Sequence, residues 1–132
     1  MRSTHAILSG FFLLLSGTAA ADWTAVGSDQ DIYSAFADTA TIHVHGANVS
    51  MSGMYDFMKR DFTPDGKGLF STVVLREYDC AARRVRLLSA IDFSGHMGAG
   101  EAVSTSAYTG RWEPVIEGAL DEAYWKVACA GK

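Results

Sequence analysis

The sequence predicts an α+β domain, in which a single antiparallel β-sheet carries a C-terminal α-helix that is packed on it and disulfide-linked to it. Residues 69–93 contain two β-rich runs that flank a short break, which is typical of a hairpin. Apolar residues recur at helical spacing in residues 119–128. The two cysteines lie at the end of the hairpin (Cys80) and the end of the helix (Cys129).

Residues 1–21 are predicted to be a cleaved secretory signal peptide, which leaves residues 22–132 as the mature domain. Arg2 supplies the positive start, residues 6–17 are an apolar run, and Ala19-Ala20-Ala21 matches a cleavage site. The apolar run is too short to span a bilayer. The cleavage site has no cysteine, so a lipid anchor is not indicated. We therefore expect an exported protein, either periplasmic or secreted, and association with the outer membrane stays open.

The charge and the cysteine count exclude several classes of protein. The net charge of −4 becomes −5 once Arg2 leaves with the signal peptide, which argues against binding to nucleic acid or to anionic lipid. Two cysteines in an exported chain predict one disulfide rather than a metal pair. The predicted mature length of 111 residues fits one domain, for which we favour a monomer.

Alternating apolar patterns predict further strands around the hairpin, at residues 22–27, 32–37, 41–45, 49–61 and 101–108. Turn-forming residues predict breaks between them, at residues 28–31, 38–41, 46–48, 62–68 and 94–100. Asp38 and Thr41 are expected to form their turn by bonding their own backbone. Gly53 inside a long strand predicts a bulge or a close backbone approach.

The helix and the hairpin each have a predicted register. Leu120, Ala123, Tyr124 and Val127 share one helix face, Asp121 and Glu122 favour the first turn, and Gly118 is the expected N-cap.

If Ala81 and Ala82 form the hairpin turn, Asp79 lies opposite Arg84, and Glu77 lies opposite Arg86. Cys80 then points to the other face, where it can meet Cys129. The charged face is read as an ordinary solvated face rather than as a ligand site.

Histidine and methionine give the chain its candidate metal ligands. His43 and His45 alternate on one strand, and His96 and Met97 lie in a glycine-rich loop. Imidazole and thioether groups suit copper or haem iron, so a haem or copper carrier is the alternative function. The preferred interpretation is that no cofactor binds, that the histidines are solvated, and that the methionines fill the core.

The sequence contains no recognisable catalytic motif, so we expect a protein that is not an enzyme. Asp56 and Asp61 lie near Glu77 and Asp79 in sequence, but carboxylates on charged strands are usually surface groups. Tyr108, Trp112 and Trp125 occur late in the chain and could anchor a partner. The preferred alternative is that both tryptophans complete the core beneath the helix.

The ordered pattern of tryptophan after the cleavage site, a Tyr-Asp-Cys-x-x-Arg-Arg-x-Arg hairpin and a C-terminal cysteine resembles the surface-adhesin protein E family of Gram-negative bacteria. The matching positions span almost the whole mature chain: Trp23, Asp38, Tyr78, Asp79, Cys80, Arg83, Arg86, the loop 95–100, Trp112, Pro114 and Cys129.

The resemblance implies a sheet of about six antiparallel strands with a disulfide-tethered helix and a non-enzymatic binding role. It implies a protein partner in the cell envelope or the host matrix. The best-known member of the family is a lipid-anchored protein that can also carry haem. This sequence differs from that member because it lacks the lipobox cysteine.

Overall fold

The structure, a computed structural model, describes residues 21–132, so nearly all of the predicted signal peptide lies outside the described residues. The described chain forms seven strands, a short 3₁₀ turn at His96–Gly98 and one α-helix. The strands are β1 (Thr24–Asp29), β2 (Tyr33–His45), β3 (Asn48–Phe62), β4 (Gly68–Asp79), β5 (Arg84–Phe93), β6 (Ala102–Ser106) and β7 (Glu113–Pro114), and the helix is α1 (Leu120–Ala128).

The strands form one antiparallel sheet in the order β1-β2-β3-β4-β5-β6, so each strand lies beside its neighbour in sequence. The two-residue β7 pairs with Arg84 and Val85 of β5, on the edge that β6 occupies further along. The connectivity from β1 to β6 needs only hairpins, since antiparallel strands can be joined by short turns, whereas β7 returns to the edge of β5. The predicted antiparallel sheet is confirmed, with a seventh short strand added.

The helix covers one face of the sheet, which we call the helix side, and the opposite face is the open side. Tyr124 and Ala128 are buried against small and apolar residues of four strands: Ala35, Ala37, Val49, Met51, Tyr78 and Val85. The hydroxyl of Tyr124 donates to the carbonyl of Phe36 at 2.9 Å and to that of Met54 at 3.3 Å. The helix is therefore held by burial and by a hydrogen bond at the centre of the sheet, since nine residues alone would be marginally helical.

Arg76 lies on the helix side and was not recognised in the sequence as a core residue. Its guanidinium lies 5.5 Å from the ring centre of Tyr55 and 5.7 Å from that of Tyr124. Aromatic rings attract a cation through their quadrupole, and the attraction is stronger away from water. The largely buried positive charge of Arg76 is therefore stabilised by two tyrosine rings, which serve the purpose that a carboxylate serves in an ion pair.

The disulfide joins Cys80, just after β4, to Cys129, just after α1, and brings their Cα atoms to 5.7 Å. The predicted bridge is confirmed. The register of the β4–β5 hairpin is also confirmed, because Asp79 lies opposite Arg84 and Glu77 opposite Arg86.

A loop closes over part of the open side. Ser71 donates to the carbonyl of Gly95 at 2.6 Å and accepts from the amide of Gly98 at 2.8 Å. Asp56 accepts from the amide of Met97 at 2.8 Å. These bonds hold the loop above Met54, which is fully buried.

The predicted turn at residues 38–41 is wrong, because β2 runs without interruption from Tyr33 to His45. The local chemistry is the one expected for a turn: the Asp38 carboxylate accepts from the amide of Ala40 at 3.0 Å, and the Thr41 hydroxyl donates to the carbonyl of Asp38 at 2.6 Å. Pairing to β3 continues on both sides of this segment, so the same bonds build a bulge.

Other boundaries differ by a few residues. The last predicted long strand ends at Ser106 rather than at residue 108. Ala119, not Gly118, is the N-cap of α1; Gly118 precedes it at a φ of +82°, which favours glycine, and donates to Glu122 at 3.1 Å. Trp23, for which the alternating pattern of residues 22–27 predicts a place in the core, is half-buried and lies outside the main core cluster.

Candidate functional site

The turn between β4 and β5 gathers arginine and tryptophan at one end of the sheet. We call this surface the Trp–Arg end and define it by Arg83, Arg84, Arg86, Trp112 and Trp125. Arg83 has a φ of +55°, which is unusual for a residue other than glycine. The left-handed residue ends the turn, and Arg83 and Arg84 then contact different tryptophans.

On the helix side, the guanidinium of Arg83 lies 4.4 Å from the ring centre of Trp125. Glu122 holds it there through an ion pair of 2.8 Å. The Trp125 indole in turn donates to the carbonyl of Asp79 at 3.2 Å. Each side chain of this group is therefore fixed by a partner in another element.

On the open side, Trp112 lies over two guanidinium groups, at 4.9 Å from Arg84 and 4.4 Å from Arg86. Arg84 pairs with Asp79 at 2.8 Å, and Arg86 pairs with Glu77 at 2.7 Å. Trp112 thus packs on the outer, charged surface of the hairpin. The prediction that it completes the core beneath the helix is wrong.

The charges of the Trp–Arg end balance locally, with one carboxylate for each arginine. Hydrogen bonds from Arg84 and from the amide of Ala82 lower the pKa of Asp79. Hydrogen bonds from the amide of Gly118 and from Arg83 lower the pKa of Glu122. The surface therefore keeps its ion pairs at neutral pH and presents no excess of positive charge to a polyanion.

An apolar depression of about 350 Å³ lies beside Trp125. It is lined by the disulfide, by two alanines of neighbouring turns and by a lysine: Ala47, Cys80, Ala81, Cys129 and Lys132. Small pockets beside tryptophan and arginine are typical places for an anchoring side chain of a protein partner.

The sequence identified the tryptophans and arginines of this end but not their contacts. The hairpin register was predictable from the alternating charges. The stacking was not, because Trp112 and Trp125 come from segments far along the chain, and nothing local indicates which side of the hairpin each will cover.

The predicted metal ligands lie in two separate places. His43 and His45 are adjacent on β2, with ring centres 4.3 Å apart, and His43 lies opposite Ser50. His96 and Met97 lie in the open-side loop, where His96 contacts Asp56 of β3. Asp56 is six residues beyond Ser50 on β3, so the two pairs of predicted ligands lie roughly 20 Å apart. The four do not form one site, and Met51 and Met54 are buried.

Two negative findings apply to residues 21–132. No group of three or more histidine, cysteine or acidic side chains is arranged to hold a metal ion within that range. The one helix of the described chain is too short to cross a membrane.

Comparison with known proteins decides the family. A model of the family described as "Surface-adhesin protein E" matches residues 23–130. The chain belongs to the surface-adhesin protein E family. Membership in a surface-adhesin family indicates an exported or cell-surface protein and favours binding over catalysis. A search of the curated proteins finds no significant match.

Solved structures of protein E from Haemophilus influenzae share the fold. One from a non-typeable strain has a TM-score of 0.61 at 11% identity and covers 96% of this chain and 85% of that one. A second has a TM-score of 0.62 at 13% identity and covers 74% and 79%, respectively. At such low identity the likeness shows a common fold, and it carries no residue-level role to this chain.

Proposed function

We propose that this member of the surface-adhesin protein E family is a non-enzymatic binding module of the cell envelope, which engages a protein partner in the envelope or the host matrix. The observation that carries the proposal is the Trp–Arg end, where two tryptophans pack on three ordered arginines and Trp125 also lines an apolar depression. Tryptophan and arginine are the residues most enriched among those that dominate binding energy at protein interfaces.

Preorganisation supports this surface as the binding site. The ion pairs to Glu77, Asp79 and Glu122 hold the three guanidiniums in place before any partner arrives. Side chains that are already ordered lose less conformational entropy on binding. The local charge balance favours a partner surface with mixed polar and apolar groups over a highly charged polymer.

The test is capture of partners from an envelope extract and from host matrix by the exported, processed protein, followed by titration of the captured partner. Trp112→Ala and Trp125→Ala are each expected to weaken binding by about tenfold or more, the usual effect of an interface hot spot. Phe62→Ala is the matched control, because Phe62 is an exposed aromatic residue at the end of β3. It lies opposite Gly68, the first residue of β4, and is therefore roughly 35 Å from the Trp–Arg end.

Equal melting temperatures of the variants show that folding is not the cause of a lost interaction. Binding that survives both tryptophan substitutions and is lost in Phe62→Ala would contradict the proposed surface. Failure to retain any protein partner from either source would contradict the proposed function.

A further inference from the structure

β2 is longer than the strand beside it, which leaves part of its outer edge open. β1 pairs only with residues Tyr33 to Ala37 of β2, whereas β2 continues to His45. From Asp38 onward, β2 has β3 on one side and no strand of residues 21–132 on the other. This outer edge is a row of backbone groups that a further strand could meet.

The β2–β3 turn shows which backbone groups of this edge are free. His45 and Asn48 flank the two-residue turn Gly46-Ala47, and Gly46 has a φ of +62°. In such a hairpin the flanking pair is hydrogen-bonded, and bonding alternates along the strand. His43 and His45 therefore bond to β3, and the N–H and C=O groups of Val44 point away from the sheet. Regular pairing resumes at His43, and extending the same alternation one residue back gives Ile42 the orientation of Val44.

Natural edge strands are usually blunted by lysine, proline or a bulge. The bulge at residues 38–41 blunts the first part of this edge, since Asp38 occupies the amide of Ala40. Ile42–His45 carries none of these devices, and the side chain of Val44 is 55% exposed. An apolar and unprotected edge, which pairs regularly with β3 from His43 onward, thus directly follows a protected one.

We propose that residues 42–45 of β2 accept an extended, acidic peptide segment of a partner by strand addition. Backbone hydrogen bonds to Ile42 and Val44 would supply the affinity, as in other cases of strand addition. On the helix side an apolar residue of the peptide packs on Val44. On the open side its neighbours meet the adjacent rings of His43 and His45.

The choice of an acidic segment follows from the charges near this edge. The two adjacent imidazoles carry ring N–H groups that can donate hydrogen bonds, and the ammonium of Lys132 donates to the carbonyl of Gly46 at 3.0 Å, at the end of the edge. Carboxylates in the peptide complement these groups. The edge shares Lys132 with the depression beside Trp125, but none of the five residues that define the Trp–Arg end lies on it, so the tryptophan variants and the Val44 variant test the two proposals separately.

The test uses the exported, processed protein, labelled with ¹⁵N, and a short acetylated peptide of alternating valine and glutamate. Saturable shifts are expected at the amides of Ile42 and Val44. Val44→Glu, which places on the edge a carboxylate that repels the acidic peptide, is expected to weaken binding by about tenfold or more. Ile116→Glu is the matched control, since Ile116 is also β-branched and 55% exposed, but lies outside the sheet.

Four results would overturn the proposal. The first is the absence of any shift along residues 42–45. The second is equal affinity for a peptide N-methylated at alternate residues, because such a peptide cannot bond to the edge through those amides. The third is sedimentation at twice the monomer mass together with dilution-dependent shifts at Ile42 and Val44, which would mean that a second copy of the chain occupies the edge. The fourth is loss of binding in both glutamate variants.

Discussion

Tyr124 connects the helix to the centre of the sheet, and Gly53 provides the space for its ring. A Cβ atom at Gly53 would lie 2.8 Å from Cε1 of Tyr124, closer than real contacts allow. The ring has little freedom to move, because its hydroxyl is bonded to carbonyls of β2 and β3. The close approach predicted for this glycine is therefore the contact on which docking of the helix depends.

Gly53→Ala is expected to lower the free energy of unfolding by about 1–3 kcal/mol, the usual cost of overpacking. Denaturant titration of the purified protein measures it. Gly131→Ala is the control, because an added Cβ there meets no other atom. A Gly53→Ala variant as stable as the parent would show that Tyr124 is not held as described.

Alkaline pH tests the burial of two tyrosines. Burial raises the pKa of Tyr78 to about 12 and also raises the pKa of Tyr124. In the unfolded chain both ionise near pH 10, as an ordinary solvated tyrosine does. The folded state keeps its protons longer, so stability that is complete below about pH 10 is lost as the pH rises towards 12, by about 3 kcal/mol for Tyr78 alone.

Denaturant titrations from about pH 9 to pH 11.5 follow this loss. Tyr78→Phe should flatten the decline, whereas substitution of Tyr108, which is 69% exposed, should leave it unchanged. An identical decline in the parent and in Tyr78→Phe would contradict the assigned burial.

At the scale of elements, the disulfide ties α1 to the β4–β5 turn. Loss of such a bridge in a small exported domain costs about 2–5 kcal/mol, and the double variant Cys80→Ser/Cys129→Ser is expected to lose that amount. Hydrogen exchange should increase first in α1, while the β4–β5 hairpin stays protected. A double variant that melts at the parent temperature would refute the structural role of the bridge.

The elements that could be predicted from the sequence are those encoded locally. The β4–β5 register follows from alternating charges, and the helix face follows from the spacing of Leu120, Tyr124 and Val127. The bulge at residues 38–41 was mistaken for a turn, because Asp38 and Thr41 make the same side-chain bonds in either structure.

The candidate site was less predictable than the fold. Trp112 covers one side of the sheet or the other according to where the segment after β6 crosses β5. The periodicity of the sequence does not predict this path. The predicted metal ligands show the same limit. The alternation of His43 and His45 correctly placed them together, but only the fold shows that His96 and Met97 lie elsewhere.

At the scale of the whole molecule, the strands run between two different ends. The first is the Trp–Arg end, which also contains the disulfide and the C-terminus of the helix. The other is the β3–β4 hairpin tip, where Met58 and Phe62 are exposed. The central claim is that protein recognition takes place at the first end. Export with cleavage before Asp22 and a monomeric state remain predictions that intact-mass and sedimentation measurements can check.

Hydrogen–deuterium exchange of the protein, with and without its captured partner, tests the central claim most directly. The account predicts that exchange slows at residues 79–86, at residues 111–115 and at the C-terminal turn of α1, while the hairpin tip at residues 58–68 is unchanged. Slowed exchange confined to the hairpin tip, with the Trp–Arg end unaffected, would contradict the account.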